Sequence, residues 1–252
     1  FFLRSCHVKV IGIALIMFLF FIFGQGCAPS RVSIDRNELA QLKDQPLIHV
    51  VHYSSPRLVA NTPSTGIGSG LGAVGGVVGG VVGGIAAAEI SKTQGEKLKQ
   101  QCSLEDPSIR VREKVIDSCS AQMDIKNFRV VPEPLDSDEM DTLRSKFGNN
   151  LVMDFKNNHW FILPTALSQW TMTRQYYVMH STRVRLIRLQ DSKVIWLGSC
   201  DFDEKRDLST SSTWDELIAN GCSQLKVKFS QAADMCAQQL VDQLFGNAAT
   251  AK

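Results

Sequence analysis

The stretch from Gly66 to Ile90, GIGSGLGAVGGVVGGVVGGIAAAEI, constrains the fold more than any other part of the chain. Ten of its first nineteen residues are glycine, and no charged residue occurs before Glu89. Glycine costs roughly 1 kcal/mol relative to alanine in a helix, so ten glycines make a water-exposed helix unstable. In lipid the backbone must satisfy its own hydrogen bonds, and the same segment is then forced to be helical.

The spacing of these glycines predicts a glycine zipper, a helix with one flat face that carries no side chains. One row repeats every four residues and a second row lies beside it: Gly68, Gly72, Gly76, Gly80 and Gly84, with Gly75, Gly79 and Gly83. Flat faces of this kind let two helices approach closely, with right-handed packing. From Ile67 to Ala88 the segment is also about long enough to span a bilayer. We therefore expect it to pack in a membrane or in a protein interface.

Three other interpretations of the glycine run compete with the zipper. GLGAVG (70–75) matches the dinucleotide-binding pattern, but no strand leads directly into it and Glu89 does not end a strand. A flexible linker would mix glycine with polar residues, whereas none occurs between Ser69 and Glu89. The valines favour a β-like, aggregation-prone segment, but so much glycine opposes a stable strand.

The N-terminus predicts an exported protein with a lipid anchor. Basic residues precede an apolar run at 10–23, which is short for a membrane span, and GQGC follows it as a small-x-small cleavage site. The cysteine of this site resembles that of the bacterial lipobox, which implies that Cys27 is lipidated. Ala28 implies, through the same resemblance, transport to the outer membrane. Ordinary cleavage that leaves Cys27 as a thiol is the alternative.

The composition of the remaining chain excludes several functional classes. Removing residues 1–26 takes Arg4 and Lys9 from the 27 basic residues and leaves the 25 acidic residues untouched, so the mature chain is near neutral. A broad nucleic-acid surface would need a basic excess. His49 and His52 lie three apart on a predicted strand and point to opposite faces, which argues against a shared metal. We expect no metal, no cofactor and no enzymatic activity, because no nucleophile–base pair or zinc-type spacing occurs.

Five cysteines remain as disulfide candidates in an exported protein: Cys102, Cys119, Cys200, Cys222 and Cys236. A continuous helix over 214–245 would separate the last two by about 21 Å, far beyond the roughly 7 Å that a disulfide tolerates. Cys200 should therefore pair with one of them. We favour Cys200–Cys236, with Cys102–Cys119 as the second bond; the alternative is that several are buried thiols.

Hydrophobic periodicity predicts an α+β domain with a mostly antiparallel sheet and helices on one face. Strands are expected at 47–54 and 127–134 and in a hairpin around LQDSK, and helices at 91–123, 136–148 and 212–246, the first broken at Pro107 and the last interrupted at Gly221. The arginines at 183, 185 and 188 are expected mostly on the solvated face of the hairpin.

The sequence divides into six predicted segments. These are a signal peptide (1–26), a lipidated tether (27–46), a strand and lead-in (47–65), the glycine-zipper segment (66–90), a periplasmic α+β domain (91–246) and a tail (247–252). The glycine run at 66–88 resembles that of proteobacterial surface lipoproteins, which also follows a signal peptide and a lipobox. The order of elements after residue 120 is similar to small periplasmic α+β domains of envelope lipoproteins, and it resembles the curli-export lipoprotein family.

We therefore expect a non-catalytic outer-membrane lipoprotein whose domain faces the periplasm and which serves as a structural or assembly accessory. Its expected partners are membrane lipid and either a second copy or another envelope protein. One alternative is a subunit of an oligomeric export or pore complex, in which zippers from several subunits pack together. A second alternative is a periplasmic ligand-binding domain with the glycine run as a loop.

Overall fold

The structure, a computed structural model of the chain, describes residues 32–44, 47–63, 77–165, 174–204 and 210–246. The predicted signal peptide, Cys27 and the first half of the glycine run lie outside these residues. The helices are α1 (Arg36–Gln41), α2 (Val77–Cys102), α3 (Pro107–Met123), α4 (Met140–Phe147) and α5 (Trp214–Phe245), with a 3-10 turn at Leu42–Asp44. The strands are β1 (Ile48–His52), β2 (Val59–Ala60), β3 (Phe128–Val130), β4 (Leu151–Pro164), β5 (Gln175–Arg188), β6 (Lys193–Asp203) and β7 (Ser212–Thr213).

Local sequence signals explain where the longer helices begin. The Asp106 carboxylate accepts a hydrogen bond from the Ser108 N–H at 2.9 Å, and Pro107 then opens α3 at the predicted joint. Thr213 and Glu216 form a reciprocal capping box at the start of α5. These side chains satisfy N–H groups that the helix itself leaves unpaired.

The sheet is mixed, with strand order β3-β1-β4-β5-β6. β4, β5 and β6 pair antiparallel, and β7 adds antiparallel to β5. β1 runs parallel to both β3 and β4, and β2 runs parallel to β4. The expectation of a mostly antiparallel sheet is therefore correct only for β4 to β7. The parallel part arises because helices connect β1 to β3 and β3 to β4, and each connection returns the chain to the end where the previous strand began.

Helices cover both faces of the sheet. On the first face, α3 and α5 pack over Val50, Met153 and Leu186. On the second face, Leu143 of α4 packs against Val152. The expectation that helices cover one face is wrong for α4. The physical reason lies in β1, where four consecutive residues are buried, so the strand needs apolar cover on both sides.

Among the described residues, two disulfides tie α5 to its neighbours. Cys200 of β6 pairs with Cys236 of α5, with 5.2 Å between Cα atoms, which is the pairing that the sequence favours. Cys102 pairs with Cys222, with 5.5 Å between Cα atoms, so the expected Cys102–Cys119 bond is wrong. Cys119 is instead a free thiol buried in the core beneath α3. Burial raises the pKa of that thiol to about 12.

Candidate functional site

The glycine run continues into a helix that belongs to the domain. Helix α2 begins at Val77 and runs without interruption to Cys102, a length of about 38 Å at 1.5 Å per residue. Four of the predicted zipper glycines lie on its helical backbone: Gly79, Gly80, Gly83 and Gly84. The other four, Gly68, Gly72, Gly75 and Gly76, lie outside the described residues. The helical conformation of the second half of the run is thus built directly onto the body.

The last three turns of α2 form what we call the root, residues 91–102, which lies against the domain. Its buried positions follow the helical spacing of four, three and four residues: Ser91, Gly95, Leu98 and Cys102. Just before the root, Ala88, Glu89 and Ile90 are all exposed, Ile90 by 51%. From Ala88 onward, burial of the α2 side chains therefore begins at Ser91.

Gly95 is the position at which α2 comes closest to the body. A Cβ atom there would lie 1.8 Å from the backbone oxygen of Leu58, so no residue larger than glycine fits. The same close approach lets the Leu58 N–H donate to the Glu96 carboxylate at 3.1 Å. Ser91 Oγ donates to the side-chain oxygen of Asn61 at 2.7 Å, which fixes the root one turn earlier. These contacts set the rotation of α2 about its axis.

The end of the root is fixed covalently at a break in α5. Residues 219–222 of α5 leave the helical conformation, and Asn220, Gly221 and Cys222 all have positive φ. This kink, at the glycine that the sequence marks as an interruption, turns the buried Cys222 side chain to meet Cys102. Asn220 and Cys222 are non-glycine residues, which adopt positive φ at a cost.

The two edges of the sheet differ in how they are covered. On the β6 edge, the Leu197 N–H donates to the Val32 carbonyl at 3.0 Å in an isolated antiparallel bridge. The Gln243 side chain accepts from the Ser199 N–H at 3.1 Å and donates to the Ser199 carbonyl at 2.9 Å. The β3 edge is three residues long and is followed by Pro132. Capping and shortening of this kind protect sheet edges from unintended pairing.

Residues 32–44, part of the predicted tether, pack onto the body. Leu42 is 3% exposed, and Ile34 and Leu39 pack against the main core. Glu38 accepts from the Lys193 ammonium at 2.9 Å. The chain is therefore fixed to the domain from Val32 onward, and Cys27, the predicted lipidation site, lies outside the described residues.

A buried ion pair lies on the second face of the sheet, where the sequence predicts solvated arginines. Asp154 is fully buried and receives Arg185 Nε at 2.9 Å and the Tyr53 hydroxyl at 2.6 Å. Arg183 donates to the Asp138 carboxylate at 2.7 Å. The expectation fails for Arg185 because the segment before α4 covers this face and places Asp138 over it. Burial and the neighbouring Asp154 carboxylate raise the pKa of the Tyr53 hydroxyl, so it stays a neutral donor.

A second buried pair, Glu204 with Lys228, has no signal in the sequence. Both side chains are 7% exposed, and Lys228 also donates to the Thr210 carbonyl. The second carboxylate oxygen of Glu204 accepts the Val178 N–H at 2.8 Å. A lysine within the amphipathic pattern of α5 is expected to be solvated, and only the tertiary position of Glu204 turns it inward. This pair joins β5, α5 and the end of β6.

A polar cluster lies on the first face of the sheet, under α3 and α5, where a bulge interrupts β4. The Asn157 amide donates to the Asp106 carboxylate at 2.7 Å, and the His180 ring bonds the Thr182 hydroxyl at 2.7 Å. His180 and Thr182 are fully buried. Burial lowers the pKa of His180 to about 4, so the ring is neutral at pH 7. We interpret this cluster as structural, because its hydrogen bonds fix β5 and join β4 to the start of α3.

The two histidines of HVVH, His49 and His52, lie in different surroundings in the structure. His49 contacts the Phe147 ring at a tilt of 36°, with 4.8 Å between centroids, whereas His52 contacts Arg112 Nη1 at 3.0 Å. Within the described ranges no group of three His, Cys, Asp or Glu residues could hold a metal ion. Within the same ranges no helix combines the length and the apolar character needed to cross a membrane.

A surface pocket of about 340 Å³ lies where the joint between α2 and α3 meets α5. Its apolar lining includes Leu104, Pro107 and Phe229. Arg110, which also lines it, is held by Asp234 at 2.6 Å. Its most prominent cation is thus already paired, and the pocket does not define a ligand class.

No protein-family model matches the sequence, and comparison with curated proteins finds no significant relative. Among solved structures the chain is similar to a PelC dodecamer from Paraburkholderia phytofirmans, at 12% identity and a TM-score of 0.34, covering 85% of this chain and 94% of that one. A putative neuraminyllactose-binding hemagglutinin homolog from Helicobacter pylori gives 9% identity, a TM-score of 0.34, and coverage of 89% and 94%. Lipoprotein GNA1162 from Neisseria meningitidis gives 14% identity, a TM-score of 0.22, and coverage of 61% and 79%. Likeness at this level carries no argument about this chain.

Proposed function

We propose that this protein is a non-catalytic, lipid-anchored envelope protein whose glycine helix packs against membrane or against other helices. The α+β domain acts as its rigid periplasmic base, and the anchor is Cys27 in the outer membrane. Its role is structural or in assembly, with membrane lipid and a second copy or another envelope protein as partners. Nucleic acid is not among the partners we propose.

One observation carries this proposal: α2 is a single helix that starts within the glycine run and ends in a buried, disulfide-bonded root. A glycine-rich segment has little helical stability of its own in water. When the glycine-rich segment continues a root that is already helical, no new helix has to be nucleated, because only propagation of the existing helix is required. The glycine face is thereby presented in a fixed rotational position relative to the domain.

Glycine allows two helices to pack closely. Alanine at the same positions holds them further apart, and leucine further still. Gly80 and Gly84 lie one turn apart on the predicted zipper face, whereas Val78 and Val82 lie roughly 120–160° away around the same helix at 100° per residue. The two pairs therefore provide a matched test within one segment of α2. Substitution of the valines leaves the glycine face unchanged.

The test compares three double variants with the wild type after detergent extraction, using crosslinking and native mass spectrometry, and alkaline extraction of membranes. We expect Gly80→Leu/Gly84→Leu to lose assembly or tight membrane association, because the added side chains separate the helices. Gly80→Ala/Gly84→Ala should lose less, although alanine favours the helix more than glycine does. Val78→Leu/Val82→Leu should behave as wild type. If Gly80→Leu/Gly84→Leu assembles and associates with membranes as the wild type does, the glycine-zipper proposal is wrong.

The same measurements separate the assembly accessory from a subunit of an export or pore complex. A single ring-sized species in native mass spectrometry would favour the pore alternative, and a monomer would count against it. Lipidation is tested independently with Cys27→Ala. This variant should no longer incorporate a labelled fatty acid and should lose the membrane attachment that depends on the lipid. Retention of the lipid label on Cys27→Ala would contradict the assigned anchor site.

A further inference from the structure

The edge of the sheet formed by β6 bears the point where the chain leaves the domain toward its predicted anchor. Val32 is the first described residue and is already hydrogen-bonded to Leu197 of β6. Cys27 precedes it by five residues. A chain spans at most about 3.6 Å per residue, so the two Cα atoms lie within about 18 Å of each other whatever conformation the connection adopts.

This attachment is built to hold its position. The 32–44 segment is fixed by the burial of Leu42 and by the ion pair between Glu38 and Lys193. β6 itself is crosslinked to α5 through Cys200–Cys236. A lipid anchor on Cys27 would therefore act on a strand that is tied covalently to α5, and the orientation of the domain would follow the position of that strand.

We propose that the β6 edge, comprising Val32, Leu197 and the outer side of α1, is the surface of the domain that faces the lipid bilayer, with β3 at the distal edge. This inference rests on the proposed lipidation of Cys27. Four strand spacings of about 4.8 Å separate β6 from β3, so the two edges lie roughly 19 Å apart. A connection of at most about 18 Å is no longer than this width, so the β6 edge cannot lie a full sheet width away from the anchor.

The chemistry of the β6 edge fits approach to lipid headgroups without insertion. The large apolar side chains that the described residues expose are Ile90, Val130, Val227 and Met235, and none of them belongs to β6 or α1. Exposed polar residues such as Asn37 and Lys193 lie there instead. Insertion into the hydrocarbon region would require exposed apolar area, which interfacial elements use to bind.

The test measures the depth of single fluorescent labels in liposomes that contain nitroxide-labelled lipid. Asn37→Cys places the label on α1, and Arg129→Cys places it on β3; both native side chains are exposed. Wild-type protein sets the background, since Cys119 is a buried thiol. We expect several-fold stronger quenching at position 37 than at position 129, because the edges lie roughly 19 Å apart. Equal quenching, or stronger quenching at position 129, would overturn the proposed orientation.

A longer connection provides the matched control. Inserting about ten Gly/Ser residues between Pro29 and Ser30 adds roughly 35 Å of reach, so the preferential quenching at position 37 should fall while lipid attachment and liposome binding persist. If quenching stays as much stronger at position 37 as it is with the short connection, that connection does not orient the domain, contrary to the proposal. Mass measurement of the N-terminal peptide reports the anchor separately. A chain without lipid on Cys27 overturns both proposals, whereas a lipidated chain without preferential quenching overturns only this one.

Discussion

Gly95→Ala offers the sharpest test of how the root of α2 is held. The added methyl would sit 1.8 Å from the Leu58 carbonyl oxygen, whereas ordinary contact begins at 3.4 Å, so α2 and the segment leading into β2 must separate by about 1.6 Å. The neighbour is backbone and cannot rotate away, which places the overpacking cost near the upper end of the usual range, about 3 kcal/mol. Alanine also stabilises the helix by about 1 kcal/mol relative to glycine, which offsets part of this cost. We expect a net loss of about 2 kcal/mol in the free energy of unfolding.

Urea unfolding of the purified domain measures this loss, and hydrogen exchange shows where it falls. Amides in residues 91–102 should exchange faster in Gly95→Ala than in wild type, because the root separates from the strand. Gly80→Ala on the same helix is the control and should leave stability unchanged or raise it by up to about 1 kcal/mol. A Gly95→Ala protein as stable as wild type would refute the close approach of α2 to Leu58.

Three further predictions concern groups buried in the domain. Cys102→Ala/Cys222→Ala removes a crosslink that closes 120 residues and should cost up to about 5 kcal/mol by loop-closure entropy; equal urea midpoints for this variant and wild type would contradict it. His180 has a pKa lowered from 6.5 to about 4, so its contribution is fully present above pH 6.5 and about 3 kcal/mol is lost as pH falls to 4; His180→Leu should lack this slope in urea unfolding, and an unchanged slope would argue against a buried neutral ring. Asp154→Asn leaves Arg185 without its buried counter-charge and should cost about 3–5 kcal/mol, more than Asp154→Leu/Arg185→Leu; equal losses in thermal unfolding would exclude coupling of the pair.

Elements with strong local signals could be predicted from the sequence. Pro107 preceded by Asp106 marks the start of α3, and the apolar stripe of α5 gives its buried face, including Cys236. Gly221 marks the interruption of that helix, which the structure places at 219–222. In each case the chemistry of a few neighbouring residues decides the local conformation, so no tertiary information is needed.

The remainder depends on contacts between residues far apart in sequence. The sequence around Gly95 does not mark it as a position of close contact, because its constraint comes from Leu58, 37 residues earlier. The predicted partner of Cys102 is wrong because the kink that brings Cys222 to it has no sequence signal for its direction. The sequence predicts a solvated Arg185 until Asp154 and the covering segment before α4 are placed around it. The parallel pairing of β1 likewise follows from the route of the connecting helices.

The central claim is that the glycine face of α2 is packed away from water in the envelope while the root is held on the domain. Labelling of isolated, permeabilised membranes with a membrane-impermeant maleimide tests it most directly, comparing Gly80→Cys with Glu89→Cys, which replaces an exposed residue. We predict that position 89 is labelled at once and that position 80 is labelled only after denaturation. Equal labelling of both positions in intact membranes would contradict the account.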